Sequence, residues 1–414
     1  MTVNVEIQIN NSASPDARYV TWAPSPCRIR VTNPAGVLTP SVTVRLTSVS
    51  AANGGAVVFR RGTTGPFSGS LSLSVPVSGL SVPFFVAGRF GQPSTNDRDV
   101  RVEARFNTTL VGSVQLMVRV RKNANTLTTG ERDRFVGALA QLNNQGLGRF
   151  SDFRDMHESD AALAQAHGAA GFLPWHRAYL LDLERELQAI DRSVALPYWR
   201  FNQAAPNIFT PDFLGTSGPA GNVQFSPANP LRFWRTDNVP GILRRPIAGF
   251  DVNGVPPNIR SEADTLALGT QYAQFRGPME NNPHGRAHTR WDFPISFVSD
   301  PATAPRDPLF FLLHCNVDRL WAMWQRQNGR FDPAVAASYD STPSLPGHNL
   351  NDTMWPWNGV TGGTRPPTAP GGTLSTSPGV TSPGLSPRVR NMLDYGGVVN
   401  AGSRMGFSYD DVPL

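Results

Sequence analysis

The chain has 414 residues, a formal net charge of +6, 37 prolines and 38 glycines. That length accommodates two or more domains with sizeable cores. The positive charge comes almost entirely from scattered arginines, with Lys122 as the only lysine, and this dispersion argues against a nucleic-acid partner. No apolar run approaches the roughly 18 residues of a membrane span, so no membrane partner is expected.

The first residues, MTVNVEIQIN, contain neither the basic nor the apolar region of a secretory signal peptide. Cys27 and Cys315 are the only cysteines, and they fall in segments with different periodicity. A structural disulfide is therefore not expected. Both features fit a reducing compartment, and a cytoplasmic location is the expectation.

Residues 1 to about 122 alternate between apolar and polar side chains. A period of two places one face of a strand in a core and the other in water, and turn residues such as Asn53-Gly54-Gly55 separate the runs. Six or seven such strands predict an antiparallel, immunoglobulin-like β-sandwich over residues 1–122. The alternating runs span Val3–Ile9, Cys27–Val31, Val42–Leu46, Leu71–Val77, Val100–Phe106 and Val114–Val120.

The periodicity changes after this segment. Thr128 and Glu131 have the spacing of a capping box, in which each residue satisfies a free backbone N–H at the start of a helix. Phe135, Leu139 and Leu142 then recur at helical spacing. The sequence therefore predicts a helix that begins beside Thr128.

Two further helices are predicted. The segment HRAYLLDLERELQAID, residues 176–191, has a leucine stripe, and another helix begins at Asp307-Pro308 and continues through LFFLLHCNVDRLWAMWQRQ. Residues 202–262 and 329–390 are rich in turn formers and are predicted to be irregular. The expected fold is thus multidomain α plus β, with a mainly α-helical bundle and long irregular loops over residues 123–414.

Six of the seven histidines form two clusters in this second half. Three neutral imidazoles without a thiolate or carboxylate suit copper, zinc, iron or nickel, and three protein ligands leave a coordination position open. Two such centres in one helical domain favour oxygen chemistry over hydrolysis. The clusters are His157, His167 and His176, and His284, His288 and His314; His348 belongs to neither and is interpreted as an ordinary loop histidine.

Two segments resemble the copper-binding signatures of the tyrosinase family of type 3 copper proteins, which includes tyrosinases, catechol oxidases and molluscan-type haemocyanins. They are FLPWHRAYLLDLERELQAID, followed by ALPYW, and DPLFFLLHCNVDRLWAMWQ. The resemblance covers roughly 125–330 and resumes weakly at 405–411. It implies that one copper ion binds His157, His167 and His176, and that a second binds His284, His288 and His314.

The resemblance further implies a polyphenol oxidase of the tyrosinase or catechol oxidase type. Its substrates would be a phenol and O2, with o-diphenols oxidised to o-quinones and weaker hydroxylation of monophenols. A copper-delivery partner is a further expectation. Two alternatives stay open: a haemocyanin-like oxygen-binding protein with restricted substrate access, and a dinuclear zinc hydrolase. The hydrolase is disfavoured because neither cluster offers a bridging carboxylate at ligand spacing.

Four other residues are candidates for the site. Glu280 resembles the family glutamate that orients a water near the second copper, or it stabilises a helix start. The family pairs that glutamate with an asparagine, and Gly285 in its place predicts a bias towards o-diphenols. Asp318 is expected either to orient a histidine or to pair with an arginine. Arg286 is expected at the rim, either attracting carboxylate-bearing phenols or exposed to solvent.

The role of residues 1–122 is left open between shielding of the copper site and docking or oligomerisation. The oligomeric state is likewise open. Gln165 and Ala166 stand where many relatives have a cysteine that forms a thioether with the second histidine, so no thioether is expected.

Overall fold

A computed structural model describes residues 3–34, 36–143, 148–236, 238–358 and 372–414. The chain divides into two compact units. The strand unit comprises the chain up to Val120 together with Ser377–Thr381 and Gly396–Leu414, and the helical unit comprises Arg121–Thr376 with Ser382–Tyr395. Part of the segment predicted to be irregular, 359–371, lies outside the described residues.

The strand unit is built from two β-sheets. Their strand orders are β1-β3-β7-β5 and β2-β9-β8-β4-β6. All neighbouring strands pair antiparallel except β2 and β9, which run parallel over two residues, so the antiparallel prediction is wrong at that pair. The strands are β1 Asn4–Ile9, β2 Tyr19–Val20, β3 Ser25–Asn33, β4 Ser41–Ser50, β5 Val57–Arg60, β6 Ser70–Pro76, β7 Val82–Gly88, β8 Val100–Phe106 and β9 Thr109–Val118.

Three of these strands were not among the predicted runs. β2 is two residues long, while VVFR of β5 and VPFFVAG of β7 have apolar side chains at consecutive positions and therefore lack a strict alternation of apolar and polar residues. The six predicted runs do form strands, and their inward side chains meet those of the other sheet in one hydrophobic core. The two sheets therefore share one core. The immunoglobulin-like assignment stays a prediction.

The end of the chain belongs to the strand unit and not, as predicted, with everything after residue 122. Trp22 Nε1 donates a hydrogen bond of 2.7 Å to the backbone oxygen of Tyr409. Arg404 Nη1 donates to Asn10 Oδ1 at 2.9 Å and to Ser25 Oγ at 3.1 Å. Contacts between residues so distant in sequence leave no trace in local periodicity, which explains the difference.

The helical unit contains three long helices and several short elements. Within the described ranges, no helix is both long and apolar enough to cross a lipid bilayer. The helices are α1 Thr129–Leu142, α2 Phe150–Glu158, α3 Asp160–Ala166, α4 Phe172–Ile190, α5 Glu262–Leu266, α6 Tyr272–Met279, the π-helical segment Glu280–Gly285, α7 Arg286–His288 and α8 Leu309–Asn328. Two short antiparallel ladders pair β10 Thr216–Ser217 with β11 Val223–Gln224 and β12 Arg235–Thr236 with β13 Val239–Pro240.

The predicted helix starts agree with the structure to within a few residues. The capping box of α1 is confirmed, because Glu131 N donates to Thr128 Oγ1 at 3.2 Å and Thr128 N donates to Glu131 Oε2 at 3.0 Å. α4 begins at Phe172, four residues before the predicted start. α8 begins after Asp307, whose Oδ1 accepts a hydrogen bond of 2.9 Å from the backbone N–H of Leu309.

Candidate metal centre

Two groups of three histidines converge in the helical unit, and within each group the ligand nitrogens lie within 4.8 Å of one another. In the first triad, His157 lies near the end of α2, His167 directly follows α3, and His176 lies in the second turn of α4. In the second triad, His284 lies in the π-helical segment, His288 ends α7, and His314 lies in α8. The structure therefore brings together each predicted cluster.

The backbone around His284 is not the regular helix that a four-residue spacing suggests. Asn282 has φ −144° and ψ 116°, which interrupts the π-helical segment two residues before His284. Helical geometry resumes through α7, and the Nε2 atoms of His284 and His288 lie 3.1 Å apart. The two Nε2 atoms thus lie close together, as the spacing predicts. The backbone that places them is an interrupted π-helical segment followed by α7, and not one regular helix.

Backbone carbonyls orient four of the six rings. A carbonyl oxygen can only accept a hydrogen bond, so each Nδ1 that contacts one carries the hydrogen and each Nε2 keeps a lone pair. The four bonds are His157 Nδ1 to Pro301 O at 3.1 Å, His176 Nδ1 to Phe172 O at 2.8 Å, His284 Nδ1 to Glu280 O at 2.9 Å and His288 Nδ1 to Val298 O at 2.6 Å.

The nitrogens that face the centre of each triad suit a metal ion. In the first triad, Nε2 of His157 and of His176 is buried without a hydrogen-bond partner among the described residues. In the second triad, His284 Nε2 lies 3.4 Å from His314 Nε2 as well as 3.1 Å from His288 Nε2. Buried lone pairs this close are unfavourable without a shared cation. Neutral imidazole donors in this arrangement fit copper.

Burial lowers the pKa of all six triad histidines, with neighbouring imidazoles as a further cause for most of them. For His167 and His288 the pKa falls to about 4. Desolvation disfavours the charged imidazolium because a buried cation loses its hydration. The rings are therefore neutral at pH 7 and competent as ligands.

The two triads adjoin one another. The rings of His176 and His314 stack with centroids 4.1 Å apart and planes 7° apart. Phe172 lies between the triads, with its centroid 4.9 Å from both His176 and His284. Phe310 lies 4.3 Å from His314 and 4.8 Å from His157. Apolar rings thus surround the nitrogens of both triads and lower the local dielectric constant.

Glu280 connects the segments that carry two of the histidines. Its Oε1 accepts a hydrogen bond of 2.7 Å from the backbone N–H of Gly168, directly after His167. Its Oε2 accepts from Arg276 Nη1 at 2.8 Å, and its backbone oxygen accepts from His284 Nδ1. Burial raises the pKa of the Glu280 carboxyl, although these donors oppose the shift. Both carboxylate oxygens are therefore engaged by protein donors.

Gly285 and Arg286 lie at the start of α7. Gly285 has φ −59° and ψ −31°, and a Cβ there would meet only Glu280 O, at 3.4 Å. Neither the backbone conformation nor the available space requires glycine at this position. Arg286 follows with an exposed side chain.

Asp318 lies one turn beyond His314, but its carboxylate faces two arginines. Oδ1 accepts from Arg177 Nε at 2.6 Å and Oδ2 accepts from Arg121 Nη1 at 3.1 Å. His314 Nδ1, by contrast, has no hydrogen-bond partner among the described residues. The structure favours the ion-pair interpretation of Asp318 over the orientation of a histidine.

His348 holds the chain on both sides of His167, although its sequence context suggested an ordinary loop residue. It is fully buried. Its Nδ1 accepts a hydrogen bond of 2.8 Å from Gly171 N, so its Nε2 carries the hydrogen and donates to Ala164 O at 2.8 Å. Tyr272 Oη also donates to Ala170 O at 2.6 Å. No local sequence signal indicates these partners.

Comparison with known proteins supplies independent findings. A family model described as the common central domain of tyrosinase matches residues 147–327. A tyrosinase from Streptomyces glaucescens is 37% identical over 265 residues, which cover 58% of this chain and 92% of that protein. A tyrosinase from Streptomyces antibioticus is 35% identical over 276 residues, which cover 58% of this chain and 94% of that protein.

A solved structure is similar in fold. Deoxygenated haemocyanin from Rapana thomasiana matches with a TM-score of 0.51 and 20% sequence identity, over 72% of this chain and 70% of that one. This likeness concerns the fold of the chain.

Proposed function

The chain belongs to the tyrosinase family, and from this premise we propose that its two histidine triads hold one copper ion each for the oxidation of phenols by O2. The protein is a tyrosinase-type oxidoreductase, and its general activity is copper-dependent phenol oxidation. One observation carries the assignment of the site: neutral imidazoles converge in two adjoining groups, with Nε2 atoms of both groups turned towards the centres.

The chain's own residues prepare the site. When bound, the copper ions supply electron transfer and a place for O2 to bind. The carbonyls of Pro301, Phe172, Glu280 and Val298 hold four rings as Nε2 ligands. Phe172 and Phe310 exclude water from the space between the triads. In the overall reaction, two o-diphenols lose two electrons and two protons each, and one O2 becomes two waters.

We assign o-diphenols as the chief substrates, with weaker hydroxylation of monophenols. A monophenol must lose its hydroxyl proton before it is hydroxylated, and in the family a glutamate and an asparagine together activate the water that takes this proton. Here the Glu280 carboxylate accepts hydrogen bonds from Gly168 N and Arg276, and Gly285 has no side-chain amide. The site is therefore poorly equipped to remove the hydroxyl proton of a monophenol.

Arg286 is proposed to favour phenols that carry a carboxylate. It lies between His284 and His288 in the sequence, its side chain is exposed, and it forms no salt bridge among the described residues. A free guanidinium at a site rim attracts anions over several ångströms, and salt weakens that attraction.

Copper analysis combined with oxygen uptake tests the proposal. Copper-loaded protein is expected to contain two copper ions per chain and to convert o-diphenols to o-quinones with uptake of O2. An active preparation with fewer than two copper ions per chain would overturn the dicopper site. Reversible O2 binding without quinone formation, even in mild detergent, would instead establish the haemocyanin-like alternative, and hydrolytic activity of zinc-loaded protein would establish a hydrolase.

A further inference from the structure

The strand unit contains a half-open cavity of about 770 Å³. It is bounded by β5, β7 and the C-terminal segment 396–414. Four aromatic side chains form much of its wall: Trp22, Phe67, Phe85 and Phe90. This volume lies within the range of small-molecule binding sites, roughly 300–1,000 Å³, which are typically apolar with a few placed polar groups.

The only charged side chains that line the cavity, within the described residues, are two arginines, Arg60 and Arg404. The Arg60 guanidinium lies over the ring of Phe67, 4.6 Å from its centroid, and 5.7 Å from that of Phe85. Its Nε is buried without a hydrogen-bond partner, and Arg60 forms no salt bridge in the described part of the chain.

Arg404 is likewise without a carboxylate partner in the ranges that the structure describes. It donates to the amide oxygen of Asn10, the hydroxyl of Ser25 and the backbone oxygen of Gly379, all of which are neutral. Burial lowers the pKa of both arginines, because their half-buried side chains are partly withdrawn from water. Two cations that line one cavity without a carboxylate side chain as partner are stabilised by an anion.

We propose that this cavity is a binding site for a small amphipathic carboxylate. The apolar body of the ligand packs against Trp22, Phe85 and Phe90, and its carboxylate accepts charge-assisted hydrogen bonds from Arg60 and Arg404. A neutral apolar ligand would leave both guanidinium groups unopposed, and a small inorganic anion would leave the aromatic walls exposed. The site lies wholly within the strand unit and does not depend on the proposed oxidation of phenols.

Titration calorimetry of the copper-loaded protein tests this site with decanoate as the probe. One decanoate is expected to bind per chain, and decan-1-ol is expected to bind at least about tenfold more weakly because it lacks the charge that the arginines recognise. Arg60→Met keeps the apolar stem and should weaken decanoate binding by about tenfold or more. Arg61→Met is the matched control, because Arg61 donates to Ser72 O and does not line the cavity.

Ala401→Trp is a second variant that leaves both arginines in place. Ala401 is an exposed residue of the cavity lining, so the added ring should obstruct the cavity and weaken binding while the fold persists. Equal binding of decan-1-ol, equal weakening in the Arg61→Met control, or unchanged binding in Arg60→Met would each overturn the proposal. So would decanoate binding that competes with catechol, since it would place the ligand at the triads.

Discussion

Arg177 donates a hydrogen bond of 2.6 Å from Nε to Oδ1 of Asp318, and both side chains are fully buried. Arg121 pairs with the second oxygen of Asp318 at 3.1 Å and with Glu184 at 2.8 Å. Asp318 of α8 thus forms buried ion pairs with Arg177 of α4 and with Arg121, which also pairs with Glu184 of α4. These helices carry His176 and His314, whose rings stack across the boundary between the triads.

Replacement of Asp318 by Asn should destabilise the fold without changing substrate recognition. The variant removes the carboxylate charge with which two buried guanidinium groups pair, and loss of one partner from a buried ion pair costs about 3–5 kcal/mol. Urea denaturation should show a free energy of unfolding lower by that amount, with an unchanged KM for the remaining folded enzyme. Asp133→Asn, at a side chain 57% exposed, is the control and should change stability little. A stable Asp318→Asn protein with altered KM would contradict the ion-pair role.

The copper-free protein should lose stability as the pH falls from about 6.5 to about 4. The pKa of His167 and of His288 is lowered to about 4 in the folded chain from an ordinary value of 6.5. Between these values the unfolded chain binds more protons, so acidification favours unfolding by up to about 1.4 kcal/mol per pH unit for each histidine. Above pH 6.5 this contribution to stability is fully present.

Denaturation of the copper-free protein over this pH range measures the effect. His288→Asn removes one titrating group, so its stability should fall less steeply with acidification than that of the wild type. If the free energy of unfolding falls equally steeply with pH in the two proteins, His288 does not titrate with a lowered pKa.

Gly285→Asn should increase the rate on a monophenol relative to the rate on its catechol. The αR backbone and the 3.4 Å clearance to Glu280 O accept a side chain, so the variant should fold normally. A side-chain amide beside His284 would supply the second group that, in the family, acts with the glutamate to activate the water. We expect the monophenol-to-diphenol ratio of initial rates to rise several-fold, whereas Gly285→Ala should leave it unchanged. A wild-type enzyme that already turns over the monophenol faster would contradict the o-diphenol preference.

His348→Leu should weaken copper binding at the first triad more than at the second. The variant leaves the buried Gly171 N–H without its partner, at a cost of about 1–3 kcal/mol, and removes the donor to the part-buried Ala164 O. His167 lies between those two groups and should lose its fixed position. The measurement is stepwise copper release to a chelator, with one ion of the pair expected to leave earlier than in the wild type. Unchanged release kinetics would mean that His348 does not position this segment.

Arg286→Gln should raise the KM for a carboxylate-bearing catechol by roughly threefold to tenfold, as expected for loss of one exposed charge interaction. The KM for a neutral catechol should stay the same, and the difference should shrink as salt is added. Arg132→Gln serves as a matched control because it removes an arginine of α1 that pairs with the exposed Asp133. Equal KM changes for both catechols would show that Arg286 acts through local structure instead of charge.

The sequence by itself determined the ligand types and most of the secondary structure. Alternation marked six of the strands, the Thr128–Glu131 spacing marked the start of α1, and the imidazoles at 284 and 288 were spaced to meet. These features are local: burial of one face imposes a period on neighbouring residues, and a capping box involves side chains only three positions apart. Such local features can therefore be recognised from the sequence alone.

Only the tertiary structure decided which groups hold the histidines in place. Glu280 reaches Gly168 across 112 residues, His348 reaches Gly171 across 177, and Trp22 reaches Tyr409 across 387. A hydrogen bond between such positions depends on the path of the whole chain. Composition and periodicity describe only how each residue relates to its neighbours, so the arginine partners of Asp318 and the role of His348 became visible only in three dimensions.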